Sequence, residues 1–381
     1  MNAAIQIFDF DLNWKGMLDG VISLTHKTSW HEIVNSELTV DVWATGAQEL
    51  QIGRVLVVNN QTDKALIIED ITRNLNEPTM KITCIPLKGL LNWRICHPTD
   101  TLTFTARKQS EIMMIIPFNN LVQQTRDNDR KFWSSAGAAG GKNMFGVTGL
   151  KVYGETIDFL VDWKTGYIGD AVVSISKMYA AGGHPIGWNI YINSSWTQFV
   201  MDTYQATNRS INQTTYSPVV FSEEFGNIKN ATYNKNNKDW RNVAYMLYTD
   251  TANAAQTLAV GNTKQGATIG FNRKEIIIDS SKNTTPQVGA EANSELNKRL
   301  MVESFTAEII NNTATMSTYG TDWNLGDIVT IQSKDLQVSV DAQITEITET
   351  YAQGEYTLEA TFNEGQPNLI QLIKQEIYRR K

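Results

Sequence analysis

The chain has 381 residues, 41% of them apolar, and its 33 basic and 40 acidic side chains give a net charge of -7. That length exceeds one ordinary hydrophobic core and implies about two to four domains, while the scattered lysines and arginines form no basic patch of the kind that holds nucleic acid. Cys84 and Cys96 are too few for a disulfide framework and lack zinc-ligand spacing. Neither a leader-type N-terminus nor an apolar run of ~18 residues is present, so the expectation is a soluble, intracellularly folded protein whose partners are proteins or sugars.

In chain order, residues 1–97 read as all-β. Ile5, Ile7 and Phe10 begin an alternating pattern, Trp14 to Leu24 continue it around Gly16 and Gly20, and Leu38-Thr39-Val40-Asp41-Val42 alternates cleanly. Strands this short and closely spaced predict a small barrel or sandwich. Residues 98–230 are mixed. Ile112, Ile115 and Ile116 have helical spacing within Ser110–Gln124, where Pro117 should kink or end the helix. The small-residue run Ser134 to Gly141 reads as a mobile surface loop. Ile168, Ala171, Val172, Ile175, Met178 and Tyr179 then share one helical face, with Gly182-Gly183 as a C-cap and Trp188–Ile192 as the next strand.

Residues 219–290 carry further strands. Val219–Phe221 and Val243–Tyr248 flank a polar turn at Tyr233–Lys238, and Ile276–Asp279 leads into a stretch of disordered character, Ser280–Pro286. A helix is expected over Glu291–Val302, a strand over Ser304–Ile310, and a short amphipathic helix around Leu369–Ile377 behind Pro367.

A β pattern near the N-terminus returns near the C-terminus. Leu50–Val58, Leu66–Thr72 and Met80–Cys84 match Trp323–Ile331, Ala342–Thr348 and Glu355–Ala360. Each copy sets a glycine turn, at Gly53 or Gly326, before its first strand, an acidic-Ile-Thr triplet in its second, and an eleven-residue step from Ile71 to Ile82 or from Ile347 to Leu358. Two copies of one small β unit suggest a chain that builds rings.

Catalytic chemistry is poorly supported. Gly140-Gly141-Lys142-Asn143 fails as a phosphate loop, because Ala136 stands at the first glycine and Asn143 replaces the magnesium-binding hydroxyl. His26, His31, His97 and His184 form no ligand pair, and no nucleophile elbow occurs. Asp9 and Asp11 would share a strand face, as an acid and base pair or as two solvent-side acids. Asp127 and Asp129 begin a calcium-loop pattern that lacks its glycine and distant glutamate, and Arg126 and Arg130 oppose a cation. Trp133, Trp163, Trp188, Trp196 and Trp240 could stack on sugar rings, although most tryptophans fill cores. No cofactor is expected.

Three further pieces carry a family resemblance: Trp323-x-Leu325-Gly326-Asp327-x-Val329, Gly354–Phe362, and Gly226-Asn227-Ile228 followed by Tyr233 and Asn242-Val243-Ala244, with Leu87–Leu91 supporting them. The chain resembles, over essentially its whole length, the tail-associated or baseplate hub proteins of siphophages, similar in fold to the central hub of contractile tails. The resemblance implies two related tail-tube-like β-barrels, at 1–97 and 320–381, flanking a central α+β region at 98–230 and 231–319. It further implies a homotrimer whose six β units adapt a sixfold tail tube to threefold symmetry, closing the channel and opening it for DNA ejection. A distal tail protein hexamer, the tape-measure protein and receptor-binding proteins are the implied partners, with DNA passing without specific contacts and no enzymatic activity. In that scheme Gly137, Gly140 and Gly141 mark a candidate gating loop. The rival classes are a cell-wall carbohydrate-binding adhesin and a glycosidase-like enzyme.

Overall fold

The computed structural model describes residues 3–97, 102–123, 127–161, 165–178, 186–250, 252, 254–261, 268–280, 285–297, 299, 302–310, 318–335, 338–352 and 354–362. In the first β unit, strands β1 (Ile5–Phe8), β2 (Trp14–Leu18), β3 (Val21–Ser29), β4 (Ser36–Asp41), β5 (Val55–Val58), β6 (Leu66–Arg73) and β7 (Thr79–Pro86) lie in the order β2-β1-β5-β6-β7-β4-β3, every pair antiparallel. One face of all seven contributes to a single core that includes Ile5, Leu18, Leu24, Leu38, Leu56, Leu66 and Ile82. β4 shows the alternation that builds such a face, with Ser36, Leu38 and Val40 buried between more exposed neighbours. β5 does not alternate: all four of its residues are buried, because Val55 and Val57 point into a second core on the opposite side.

That second core belongs to the middle of the chain. It is built from β8 (Leu102–Lys108) paired with β10 (Thr156–Val161), and from β9 (Phe145–Val147), β11 (Ile186–Ile192) and β12 (Phe199–Gln205) in a three-stranded sheet. Helices α1 (Gln109–Pro117) and α3 (Ile168–Ser176) pack on them, and α2 (Gly137–Gly140) is a single turn between. The Glu111 carboxylate caps α1 by accepting from the Lys108 N–H at 3.1 Å. Pro117 has no N–H to continue the ladder, and the chain passes from it into a wider π turn over Phe118–Val122. In α3 the buried residues Ile168, Ala171, Val172 and Ile175 are the face expected from their spacing.

The second β unit comprises β13 (Val220–Ser222), β14 (Ile228–Asn236), β18 (Val302–Ile309), β19 (Ile328–Ser333), β20 (Val338–Ala352) and β21 (Glu355–Phe362), around a core of Phe221, Trp323, Ile331, Ile344, Leu358 and Phe362 among others. Between β14 and β18 the chain makes a separate sheet of β15 (Val243–Thr249), β16 (Ala255–Gly261) and β17 (Glu275–Ser280), covered on one side by α4 (Thr285–Asn297).

The backbone repeats as closely as the sequence. The Gly53 N–H bonds the Ile68 carbonyl and the Ile68 N–H bonds the Arg54 carbonyl, both at 2.9 Å; Gly326, Ile344 and Asp327 make the same two bonds, also at 2.9 Å. A β-bulge then follows in each copy, between Ile68 and Asp70 in β6 and between Ile344 and Glu346 in β20. Ile71 stands opposite Ile82 as its eleven-residue step suggests, whereas Ile347 stands opposite Ala360 rather than Leu358, because the β20–β21 hairpin is longer.

Several expectations are corrected. Among the described residues neither unit closes into a barrel: the shared sheet runs open from β14 to β2, and the free edge of β3 that could close the first unit is occupied by β20. The Tyr233–Lys238 turn is instead mostly strand β14, whose polar residues face solvent at a sheet edge. The helix expected over Glu291–Val302 starts earlier, at Thr285, and Val302 opens β18. Asp9 and Asp11 lie in the turn after β1, not on a strand. The helix expected at Leu369–Ile377 falls outside the described residues, as do Trp163, His184 and Gly182-Gly183.

Candidate functional site at the junction of the two β units

β20 is long enough to serve two partners. Its first half, through Gln343, pairs with β19, and its second half pairs with β3 of the first unit from Glu346↔Ser29 to Ala352↔Ser23. The ladder makes one continuous sheet of both units and carries Tyr351 into the core of the first. Beyond its end, the Trp30 N–H donates to the Thr345 carbonyl at 2.8 Å.

Trp30 is where three parts of the chain meet. Its ring lies against both Gly187 of β11 and Gly326, and a Cβ at either glycine would overlap the indole. Gly326 also has φ +92°, so this position needs glycine both for its backbone and for its surface. Its counterpart Gly53 has φ +83° yet open space around the same direction. Lys88, buried beside Trp30, donates to the carbonyls of Ser29 at 2.6 Å and Trp30 at 3.4 Å and lies 4.7 Å from the centre of the Trp188 ring. Burial pushes the Lys88 ammonium down to about 7 against the opposing pull of Glu32. The Trp188 indole in turn donates to the His31 carbonyl at 2.8 Å, and His31 meets Ser176 of α3.

Opposite Trp30, the junction encloses an ion pair. Lys64 and Glu349 are 2.7 Å apart with side chains only 9% and 6% exposed. Tyr356 and Tyr351 donate to the same Glu349 oxygen at 3.1 and 3.3 Å, Asn59 donates to Tyr351 at 3.0 Å, and Lys64 sits 4.5 Å from the Tyr319 ring centre. Burial would raise the Glu349 pKa, but the Lys64 charge and hydrogen bond outweigh it and hold it below the usual range; the Lys64 pKa is raised in spite of its own burial. His26, paired across the ladder with Glu349, is pushed down to about 4 by burial, against the pull of Glu349. A cavity of ≈ 250 Å³ between these groups is lined by Lys27, Trp30, Asp63, Tyr204, Asn324 and Leu325.

The sequence-derived candidates fall mainly elsewhere. Gly137, Gly140 and Gly141 form a closed turn: Gly137 donates to Ser134 at 2.8 Å, Gly141 donates to Gly137 at 2.7 Å, and a Trp133↔Asn143 bridge joins the base. The Ser135 N–H and hydroxyl bond the Asp11 carboxylate, tying this turn to the first β unit. Asp9 is taken up by Lys15, at 2.8 Å, and by Asn13, so the two acids do not act on a common point. Trp188 and Trp240 are buried, and Trp196 packs 4.7 Å from Phe8; among the described residues the exposed indoles are Trp14, Trp43 and Trp93. Among the described residues no cluster of metal-binding side chains occurs. Sequence reasoning missed Trp30, Lys64, Lys88 and Glu349, which are distant along the chain; the adjacency of an unexplained Trp to a strand end was the only local signal.

No curated protein sequence matches the chain. Its fold is that of the 43 kDa tail protein of prophage MuSo2 from Shewanella oneidensis, at 12% identity and a TM-score of 0.53, spanning 94% of this chain and 98% of that one. A tail protein from Neisseria meningitidis MC58 is also similar, at 8% identity and a TM-score of 0.50, over 95% of this chain and 96% of that one. With its family model matching residues 4–362, the chain belongs to the Siphovirus ReqiPepy6 Gp37-like family.

Proposed function

We propose that three copies of this chain form the hub ring of a siphophage tail tip. The observation that carries the reading is the β3–β20 ladder: two units with the same backbone hydrogen bonds join edge to edge within one chain, so three chains supply six such units around an axis. A ring of this kind matches a sixfold tail tube on one side and presents threefold symmetry on the other. Closing the sheet across copies would complete the tube-like barrel wall that one chain leaves open, and would cover edges that otherwise invite aggregation. The partners in this reading are a distal tail protein hexamer above, and the tape-measure and receptor-binding proteins along and around the channel. The ring keeps the channel closed until receptor engagement and then lets DNA pass; the net charge of -7 offers it no general basic surface to bind. The turn of Gly137, Gly140 and Gly141, held by Asp11, is assigned as the moving latch.

Native mass spectrometry of the chain, co-expressed with the product of the adjacent upstream gene expected to encode the distal tail protein, tests the ring. Three copies on six of the partner is the expected result. A monomer that ignores the partner, or a ring of another order, would overturn the reading.

A further inference from the structure

The internal repeat assigns a register to contacts that one chain cannot make by itself. In the second unit, strands β14-β18-β21-β20 occupy the positions that β3-β4-β7-β6 hold in the first. Matching the ladders pair by pair makes Asp70 the counterpart of Glu346, Thr72 of Thr348, Thr25 of Thr232 and Ser29 of Asn236. Within the chain, β20 and β3 are joined. Among the described residues their counterparts β6 and β14 are not: past Ile67, β6 has no strand on its β5 side, and β14 pairs only with β18.

We propose that β6 of one copy pairs antiparallel with β14 of the next in the register that β20 keeps with β3, placing Asp70 opposite Asn236, Thr72 opposite Asn234 and Asn74 opposite Thr232. The proposal rests on the ring reading above and names its intersubunit surface. Three features of the free chain fit a second copy as the occupant. First, the side chains that are covered at the internal junction are uncovered here: Tyr351 is 5% exposed, while Leu75, two residues past Arg73 as Tyr351 is two past Glu349, is 98% exposed. Ile52, the counterpart of the partly buried Leu325, is 62% exposed. Second, the Gly326 surface is filled by Trp30, but nothing lies within 4 Å of a Cβ built on Gly53, leaving room for the segment after β14. Third, the charges complement: Glu69 and Asp70 stand on the β6 side, and Lys238 just past the end of β14, all exposed. The internal junction therefore serves as the pattern for the external one, and repeating it around the ring covers the β14 edge and the free half of β6 in every copy.

Cysteines introduced by Thr72→Cys and Asn234→Cys test the register. Both positions are exposed in one chain, and directly opposed residues of an antiparallel ladder lie within disulfide reach. The native Cys84 and Cys96 are buried and do not compete. Mild oxidation of the assembled double variant is expected to give covalent dimers and trimers on a non-reducing gel, while each single variant stays uncrosslinked. Leu75→Asp, which touches nothing in the free chain's core, is expected to leave the monomer's unfolding midpoint unchanged and weaken self-association about tenfold or more. A ring of three by native mass spectrometry that neither crosslinks nor responds to Leu75→Asp would overturn the strand pairing and leave the ring standing. Absence of any ring would overturn both.

Discussion

Adding one methyl group at Gly326 and at Gly53 uses the repeat as its own control. Both glycines hold a left-handed φ, +92° and +83°, and alanine in that region costs about 1–2 kcal/mol wherever it stands. At Gly53 the new Cβ meets nothing within 4 Å, so Gly53→Ala should cost only that strain. At Gly326 the Cβ falls on the Trp30 ring, which also lies against Gly187. Overpacking of this kind adds about 1–3 kcal/mol, giving about 2–5 kcal/mol in all. Urea unfolding followed by circular dichroism, at a concentration where the chain is monomeric, measures the difference. A smaller ring relieves the clash, so in a Trp30→Leu background Gly326→Ala should cost about what Gly53→Ala costs. Equal destabilisation by the two alanines in the wild-type background, or a penalty at Gly326 that Trp30→Leu leaves intact, would refute the three-way wedge.

The buried ion pair makes a second prediction: Glu349→Gln strands the Lys64 charge and should cost about 3–5 kcal/mol, while adding Lys64→Met recovers most of the loss, as a double-mutant cycle would record. Acid should weaken the same junction. The imidazole of His26 binds its proton at about 4 in the fold against 6.5 in the unfolded chain, so the unfolded state holds more protons between those values. Its contribution is complete above pH 6.5 and is lost as pH falls toward about 4, by roughly 3 kcal/mol, and His26→Gln should flatten the fall in a pH series of unfolding midpoints. Finally, Asp11→Ala releases Ser135, and limited proteolysis between Ser134 and Lys142 should then quicken roughly tenfold with no change in the oligomeric state read by native mass spectrometry. Unchanged cleavage would remove Asp11 as the latch.

Much of the local structure was legible because it depends on short-range periodicity. The alternation of Leu38 and Val40, the helical face of Ile168 to Ile175, and the glycine turns before β5 and β19 each follow from spacing alone, and all three appear in the fold. The Tyr233–Asn236 end of β14 reads as a turn because only Tyr233 of that stretch packs toward the core, too few residues for alternation to show among polar neighbours. The continuous apolar run of β5 shows the converse, since burial on both sides erases alternation too.

The sequence by itself determined that a small β unit occurs twice, and where its turns and bulged strands fall, since these are set by glycines and by apolar spacing over a few residues. Only the tertiary structure decided how the copies meet. The contacts of Trp30 with Gly326, of Lys64 with Glu349 and of β3 with β20 join residues hundreds of positions apart. Such pairings depend on shape, register and the exclusion of water around charge, none of which leaves a periodic trace along the chain.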